Sequence, residues 1–306
     1  MKVASAIQMS RVDEKLINEH NYSITSLVEM ASCALLEEIP NVQSYLLLVG
    51  PGNNGADALS LAKRLVDRHN KVYIKLFYFD KANDTVMHFY EQIKDEVEFV
   101  DEIAKTDIVI DGIFGNGLMR SLDDKLQDFL TKINQMRTIR IAIDIPTGIN
   151  ATSGLLQPTC FKAHKTVTFM CQKIAMLNSE FQEDFGKIVV KPFGIEKEVL
   201  EEVGISEIID QDTILSFLKV RTYHAHKGVM GKITHFTGSK SYTGAACLAS
   251  LASVHTGSGI VRVCSEKEVL KQVNFHNLEA ITLNSKELNG KDLNGYNAFL
   301  CGCACG

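Results

Sequence analysis

A chain of 306 residues is long for one hydrophobic core and fits two domains better. Apolar content of 45%, charged content of 23% and aromatic content of 8% describe an ordinary soluble globular protein. A net charge of −5 supplies no general affinity for nucleic acid or an anionic membrane surface, which leaves only a local basic patch for such a partner.

Residues 1–40 carry two apolar stripes at helical spacing. Ala6, Met9, Val12, Leu16 and Ile17 form the first; Ile24, Leu27, Val28, Ala31, Leu35 and Leu36 form the second. Both read as packing helices, separated by the polar stretch from Asn18 to Tyr22. Arg11, Asp13, Glu14 and Lys15 interrupt the start before a secretory signal can form, so the cytoplasm is the expected compartment.

Leu46-Leu47-Leu48-Val49 is a short, wholly apolar run, as expected of a parallel strand covered on both faces. Gly50-Pro51-Gly52 ends it. Asn53-Asn54-Gly55-Ala56-Asp57 then leads into a helical pattern at Ala58, Leu61, Ala62 and Leu65. A strand, a glycine turn and a helix N-terminus bring free backbone N–H groups to one point, where an anion binds well. Asn53, Asn54 and Asp57 add side-chain oxygens there, so the loop suits a nucleotide, a cation or both.

The alternation of strand and helix continues. Val72 to Phe79 reads as a strand, Asn83 to Ile93 as a helix and Val97 to Val100 as a further strand segment. Ile108-Val109-Ile110-Asp111 is a strand with an acid at its end, followed by Gly112, Gly115 and Gly117. After a helix over 122–133, Arg140 to Asp144 repeats the pattern, and Ile145-Pro146-Thr147-Gly148 turns the chain. Asp111 or Asp144 alone would read as a loop or helix cap. Three loops at the carboxyl ends of three neighbouring parallel strands read as a ligand crevice, on which Asn53, Asn54, Asp57, Asp111, Asp144 and Thr147 converge.

Thr166 to Phe169 and Lys187 to Val190 continue the sheet, and Glu196 to Ile209, charged and without a strong core face, reads as a linker. A second unit begins near Gln211. Lys232 to Phe236 reads as a strand, Gly238 to Gly244 as a glycine loop, Ala245 to Val254 as a helix, and Ile260 to Val263 and Tyr296 to Cys301 as strands. His224 and His226 read as loop residues, since no third metal ligand is in view. The uncharged stretch from Ser241 to Val261 reads as a buried helix and strand, not a membrane span. The eight cysteines suit a reduced compartment, and the alternating Cys301, Cys303 and Cys305 would share one face of a strand.

Gly50 to Asp57, Asp111 with Gly115-Asn116-Gly117, Asp144 to Gly148 and Thr166 to Phe169 together resemble the YjeF N-terminal family, the fold of NAD(P)H-hydrate epimerase. Residues 211–306 resemble the opening of the ribokinase-like, ADP-dependent NAD(P)H-hydrate dehydratase domain. His226-Lys227-Gly228, Gly238-Ser239, Thr243 to Ala246 and Gly257-Ser258-Gly259 carry that likeness. The resemblance implies an α/β chain: a three-layer Rossmann-like αβα sandwich over 1–210, then an incomplete ribokinase-like domain over 211–306. It implies nicotinamide nucleotide repair, in which the R and S forms of hydrated NADH or NADPH are interconverted.

By the same resemblance, Asn53, Asn54, Gly55, Ala56 and Asp57 would hold the dinucleotide, and Gly115, Asn116, Gly117, Leu118, Met119, Arg120 and Ser121 would line it. Asn54, Asp111 and Thr147 would ligate potassium. Asp144 would contact the nicotinamide-derived ring and is the candidate acid/base. ADP or ATP would be a cofactor only with a complete dehydratase domain. The segment after Gly302-Cys303-Ala304-Cys305-Gly306 that holds that domain's nucleotide loops and catalytic aspartate is missing, so dehydratase activity is expected to be absent. A homo-oligomer is also implied.

Four positions depart from the family pattern. Ala56 and Ala58 stand where glycines are usual; were either at positive φ, alanine would cost about 1 kcal/mol. Thr147 replaces a usual serine and keeps its hydroxyl, and His164 stands where aspartate is frequent. Two other readings compete. A non-catalytic binding or scaffold module would not need to keep an ion site. A Rossmann dehydrogenase fits Gly50, Gly52, Gly55 and Asp80 but leaves the loops after Asp111 and Asp144 unexplained.

Overall fold

A computed structural model of the protein describes residues 2–117, 121–154, 158–194, 196–218 and 220–304. The chain divides into two compact units, Met1–Ile214 and Leu215–Gly306.

The first unit opens with a short strand, β1 (Lys2–Ala4), and two helices, α1 (Ala6–Asn18) and α2 (Ile24–Glu38). Ser5 and Ser23 each close a capping box on the helix that follows, satisfying N–H groups that the first turn leaves free. The strand and helix alternation then runs β2 (Ser44–Val49), α3 (Asn53–Asp67), β3 (Lys71–Leu76), α4 (Asp84–Ile93), β4 (Glu98–Phe99), β5 (Ile108–Gly112), α5 (Asp124–Gln135), β6 (Ile139–Ile143) and β7 (Lys165–Phe169). After β8 (Gln172–Lys173) and α6 (Gln182–Phe185), β9 (Lys187–Lys191) completes a seven-stranded sheet of order β4-β3-β2-β5-β6-β7-β9. Every pairing in that sheet is parallel.

The wholly apolar strand reading of residues 46–49 has a direct cause. Tyr45, Leu47 and Val49 pack into a core with α2, α3 and α4, while Leu46 and Leu48 pack on the opposite face with Leu126, Leu130 and Ile133 of α5. Side chains alternate across a strand, so a strand buried on both faces must be apolar at every position. The result is the expected three-layer αβα arrangement. The strand expected over 72–79 ends early at Leu76, because the chain turns through Tyr78 at φ 53° into a 3₁₀ turn at Phe79–Lys81.

Residues 196–209 correct the linker reading. α7 (Glu196–Glu202) buries Val199 and Leu200 and, with Ile205, joins a core cluster containing Met9, Val12 and Leu16 of α1. β10 (Ser206–Glu207) pairs antiparallel with β1, which pairs parallel with β8 on its other side. The apolar residues are too few and too unevenly spaced to stand out as a helix face, yet together they clamp the N-terminal strand. α8 (Gln211–Phe217) follows, across the boundary between the units.

The second unit holds β11 (Lys232–Phe236), α9 (Thr243–His255), β12 (Ile260–Ser265), α10 (Lys267–His276), β13 (Ala280–Asn284) and β14 (Ala298–Cys301). Its parallel sheet has the order β13-β12-β11-β14. Sequence reading missed α10 and β13. Cys301 lies in β14 but Cys303 follows its end at φ 51°, so the strand alternation expected of the cysteines is broken between them, and Cys305 lies outside the described residues. Among the described residues no helix is long and apolar enough to cross a membrane.

Candidate functional site

The first unit contains a cavity of about 610 Å³ at the carboxyl ends of β2, β5 and β6. Its wall includes Asn53, Asn54 and Asp57 from α3, Gly115, Asn116 and Gly117 from the loop after β5, and Asp144 from the end of β6. Two close backbone approaches shape it. A Cβ on Gly50 would come within 1.8 Å of the Ile113 carbonyl oxygen, and one on Gly55 within 2.0 Å of the Gly50 oxygen. These glycines are therefore required by backbone contact, which lets the first turn of α3 lie against the loops of β2 and β5.

Asp144 sits at φ 62°, an uncommon conformation for a side-chain-bearing residue that aspartate tolerates better than most. Such backbone persists where its surroundings fix it, and here they do. Its N–H donates to the Val167 carbonyl at 2.8 Å. Its Oδ1 accepts from the Thr168 hydroxyl at 2.8 Å and from Lys173 Nζ at 2.5 Å. Lys173 is itself buried, and its ammonium also donates to Thr168 Oγ1 at 2.7 Å and to the Phe169 carbonyl at 3.2 Å. The Asp144 Oδ2 atom lies near Gly115, 3.4 Å from where a Cβ there would stand. One carboxylate oxygen is thus pinned from behind while the other faces the loop that lines the cavity.

Two further acids share this wall. Burial pushes the Asp13 carboxyl of α1 up to about 6, with Asp144 and Glu14 pushing the same way and Lys173 opposing. Burial likewise lifts Asp57 well above the usual carboxylate range, reinforced by Asp144 and Asp13. Neither forms an ion pair or hydrogen bond among the described residues, whereas Asn53 Oδ1 accepts from the Asn83 amide at 3.0 Å.

Asp111 and Thr147, expected in the crevice, lie fully buried behind it. The Thr147 N–H donates to Asp111 Oδ2 at 2.7 Å, its hydroxyl to Asp111 Oδ1 at 2.8 Å, and the Ile113 N–H to Oδ1 at 3.1 Å. The Phe114 N–H donates to the Thr147 hydroxyl oxygen at 3.1 Å, tying this pair to the cavity loop. No basic side chain among the described residues pairs with Asp111, and burial raises its carboxyl to about 6. A monovalent cation fits this chemistry: the donors are carboxylate, hydroxyl and amide oxygens, and the buried charge lacks a counter-charge. Asn54 adds a buried amide whose Nδ2 has no partner; turned over, the same amide presents a buried oxygen. Among the described residues no group of three or more His, Cys, Asp or Glu side chains could hold a metal ion.

A family model described as the YjeF-related protein N-terminus matches residues 24–175, and one described as NAD(P)H-hydrate dehydratase matches residues 235–304. A protein of Leuconostoc citreum called NAD(P)H-hydrate epimerase is 30% identical over 206 residues, covering 64% of this chain and 91% of that protein. The chain belongs to the YjeF-related family. A relative from Dictyoglomus turgidum, called bifunctional NAD(P)H-hydrate repair enzyme Nnr, is 28% identical over 94% of this chain. The chain spans 59% of that relative's length and 51% of a Leishmania infantum relative called bifunctional NAD(P)H-hydrate repair enzyme. The crystal structure of yeast ynu0 covers 69% of this chain and is itself covered over 97%, with a TM-score of 0.58 and 18% identity, a likeness of fold.

Against the YjeF pattern, the alanines are not strained. Ala56 and Ala58 both lie inside α3, fully buried and outside the positive-φ residues, so the expected glycine penalty does not arise. The tight position is Gly112, where a Cβ would stand 2.6 Å from that of Ala58. Gly55 and Ala56 lie behind the cavity wall, and Ser121 is exposed and away from it. Leu118, Met119 and Arg120 lie outside the described residues. Asp13, Thr168 and Lys173 were missed. Asp13 falls on α1, outside the matched segment, and a single acid on an amphipathic helix reads as solvent-facing. Lys173 had one legible signal: it follows the Thr-Val-Thr-Phe strand by four positions, within reach of that strand's end.

Proposed function

We propose that the first unit is an NAD(P)H-hydrate epimerase, interconverting the R and S forms of hydrated NADH or NADPH. The observation that carries this reading is the cavity that joins a glycine-bounded helix N-terminus to Asp144, whose carboxylate is fixed by Lys173 and Thr168. Hydration of a dihydronicotinamide places the hydroxyl on the carbon bonded to the ring nitrogen. Epimerisation there requires the carbon–oxygen or carbon–nitrogen bond to open and close again, which needs positioned proton donors and acceptors.

Asn53, Asn54 and the α3 N-terminus would hold the phosphates, and the loop of Gly115 to Gly117 would lie along the substrate. Asp144 would contact the ring and move a proton there. Potassium, when bound by Asn54, Asp111 and Thr147, would supply positive charge beside the substrate's phosphates. A cytoplasmic location and a homo-oligomeric state belong to the same proposal, the oligomer resting on the family resemblance.

The test gives the purified chain a mixture of R and S NADPH hydrates with potassium, and chromatography follows the ratio beside an S-specific dehydratase with its ATP or ADP. The R pool should drain only when this chain is present. An R pool left unchanged by the folded chain would overturn the reading.

A further inference from the structure

α1 turns one face to the cavity, and Met9, Ser10, Asp13 and Ile17 form part of its wall. Three- and four-residue spacing places these side chains together on a helix. Asp13 is the one ionisable group among them, and it faces Asp144 and Lys173. It makes no hydrogen bond or ion pair among the described residues, and it caps nothing, since Ser5 caps its helix. A partly buried acid beside two other acids is unfavourable for folding and brings no structural contact in return. Such an arrangement is what a proton-transfer site requires.

We propose that Asp13 is a second catalytic acid/base of the cavity, working with Asp144 on the hydroxyl-bearing carbon; this rests on the epimerase reading. In the forward step the Asp13 carboxyl gives its proton to the substrate hydroxyl. The carbon–oxygen bond breaks and its electron pair leaves with water, while the lone pair of the ring nitrogen forms a carbon–nitrogen double bond. Water adds to the other face of that carbon, and Asp144 takes the surplus proton. Asp13 has lost one proton and Asp144 has gained one, so release of a proton to water by Asp144 and uptake of one by Asp13 reset both groups for the next turnover. No oxidant, reductant or further reactant is consumed.

This division suits the surroundings. Lys173 and Thr168 both donate to Asp144 Oδ1, which fixes that carboxyl in place and leaves Oδ2 toward the cavity loop, while Asp13 lacks any such donor. The charged groups facing Asp13 are Lys173 from β8, Asp144 from the end of β6 and Asp57 from α3, with Glu14 beside it on α1.

The experiment compares the wild-type chain with Asp13→Asn, Asp13→Glu and Asp13→Ser in the R/S interconversion assay, with substrate binding and thermal unfolding measured in parallel. Asp13→Asn should lower kcat at least about 100-fold with KM within about threefold, and Asp13→Glu should restore activity to within about tenfold of wild type. Asp13→Ser should be as slow as Asp13→Asn and supplies the comparison if the amide variant does not fold. Active wild type with folded Asp13→Asn or Asp13→Ser within about twofold of it would overturn the role of Asp13 alone. A wild-type chain that leaves the R pool unchanged would overturn the epimerase reading, and this assignment with it.

Discussion

Lys173 Nζ lies 2.5 Å from Asp144 Oδ1, joining the short strand β8 to the end of β6 in a pair with little exposure on either side. Removing one partner of a buried ion pair leaves the other charge uncompensated, which typically costs about 3–5 kcal/mol. Lys173→Met should therefore lower unfolding stability by about that amount in urea titrations. Lys173→Met with Asp144→Asn should lose less than the sum of the single changes, since the second change removes the stranded charge. Additive losses would show that the pair is not coupled.

Asp13 gives a pH dependence of defined sign. Its folded-state pKa of about 6 lies above the unfolded value near 3.8, so the native chain holds the proton more tightly between those limits. The native state is disfavoured as pH rises through this window, and the full penalty is present above about pH 6. Asn mimics the protonated acid. The melting temperature of Asp13→Asn relative to wild type should rise between pH 4 and pH 7; a constant difference would remove the linkage.

The buried Asp111 predicts how a cation acts. Its carboxyl, raised to about 6, is mostly ionised at pH 7.5 and mostly protonated at pH 5. Potassium should raise the melting temperature at pH 7.5 and have little effect at pH 5, with sodium at equal ionic strength as the control. Thr147→Ser keeps the hydroxyl that donates to Asp111 and should retain this response. Thr147→Val should lose it and destabilise the fold by about 1–3 kcal/mol through the lost hydroxyl hydrogen bond to the buried Asp111 carboxylate.

The glycines of the site are not equivalent. Gly55→Ala would drive a Cβ to 2.0 Å from the Gly50 carbonyl oxygen, a backbone clash that only displacement of α3 relieves, so loss of more than about 3 kcal/mol is expected. Gly117→Ala meets nothing within 4 Å and should change stability by less than about 0.5 kcal/mol. Denaturant midpoints of the two variants check the contrast.

Much of this arrangement was legible because β2 and α3 switch from a continuous apolar run to helical spacing across Gly50 to Asp57, and because Asp111 and Asp144 end neighbouring strands. Their division of labour was not legible. Whether a strand-end acid faces a cavity, as Asp144 does, or folds back under its own loop, as Asp111 does, depends on which N–H groups the next turn offers. Ala56 and Ala58 looked open to strain only while the helix was read as beginning at Ala58; α3 begins at Asn53, and the extra turn removes the question. Asp13 and Lys173 come from segments that read as packing alone, since tertiary proximity leaves no period in a sequence.

β1 is the middle strand of its small sheet, between β10 and β8. A fragment begun at residue 24, where the family match starts, would keep every glycine loop yet strip both neighbours of their pairing with β1. Lys173 rides on one of them, so the anchor of Asp144 would come loose at a place far along the chain from the cut. Laboratory fragments and terminal fusions of this protein should accordingly leave the first strand intact, because the working edge of the domain lies upstream of its recognisable motif.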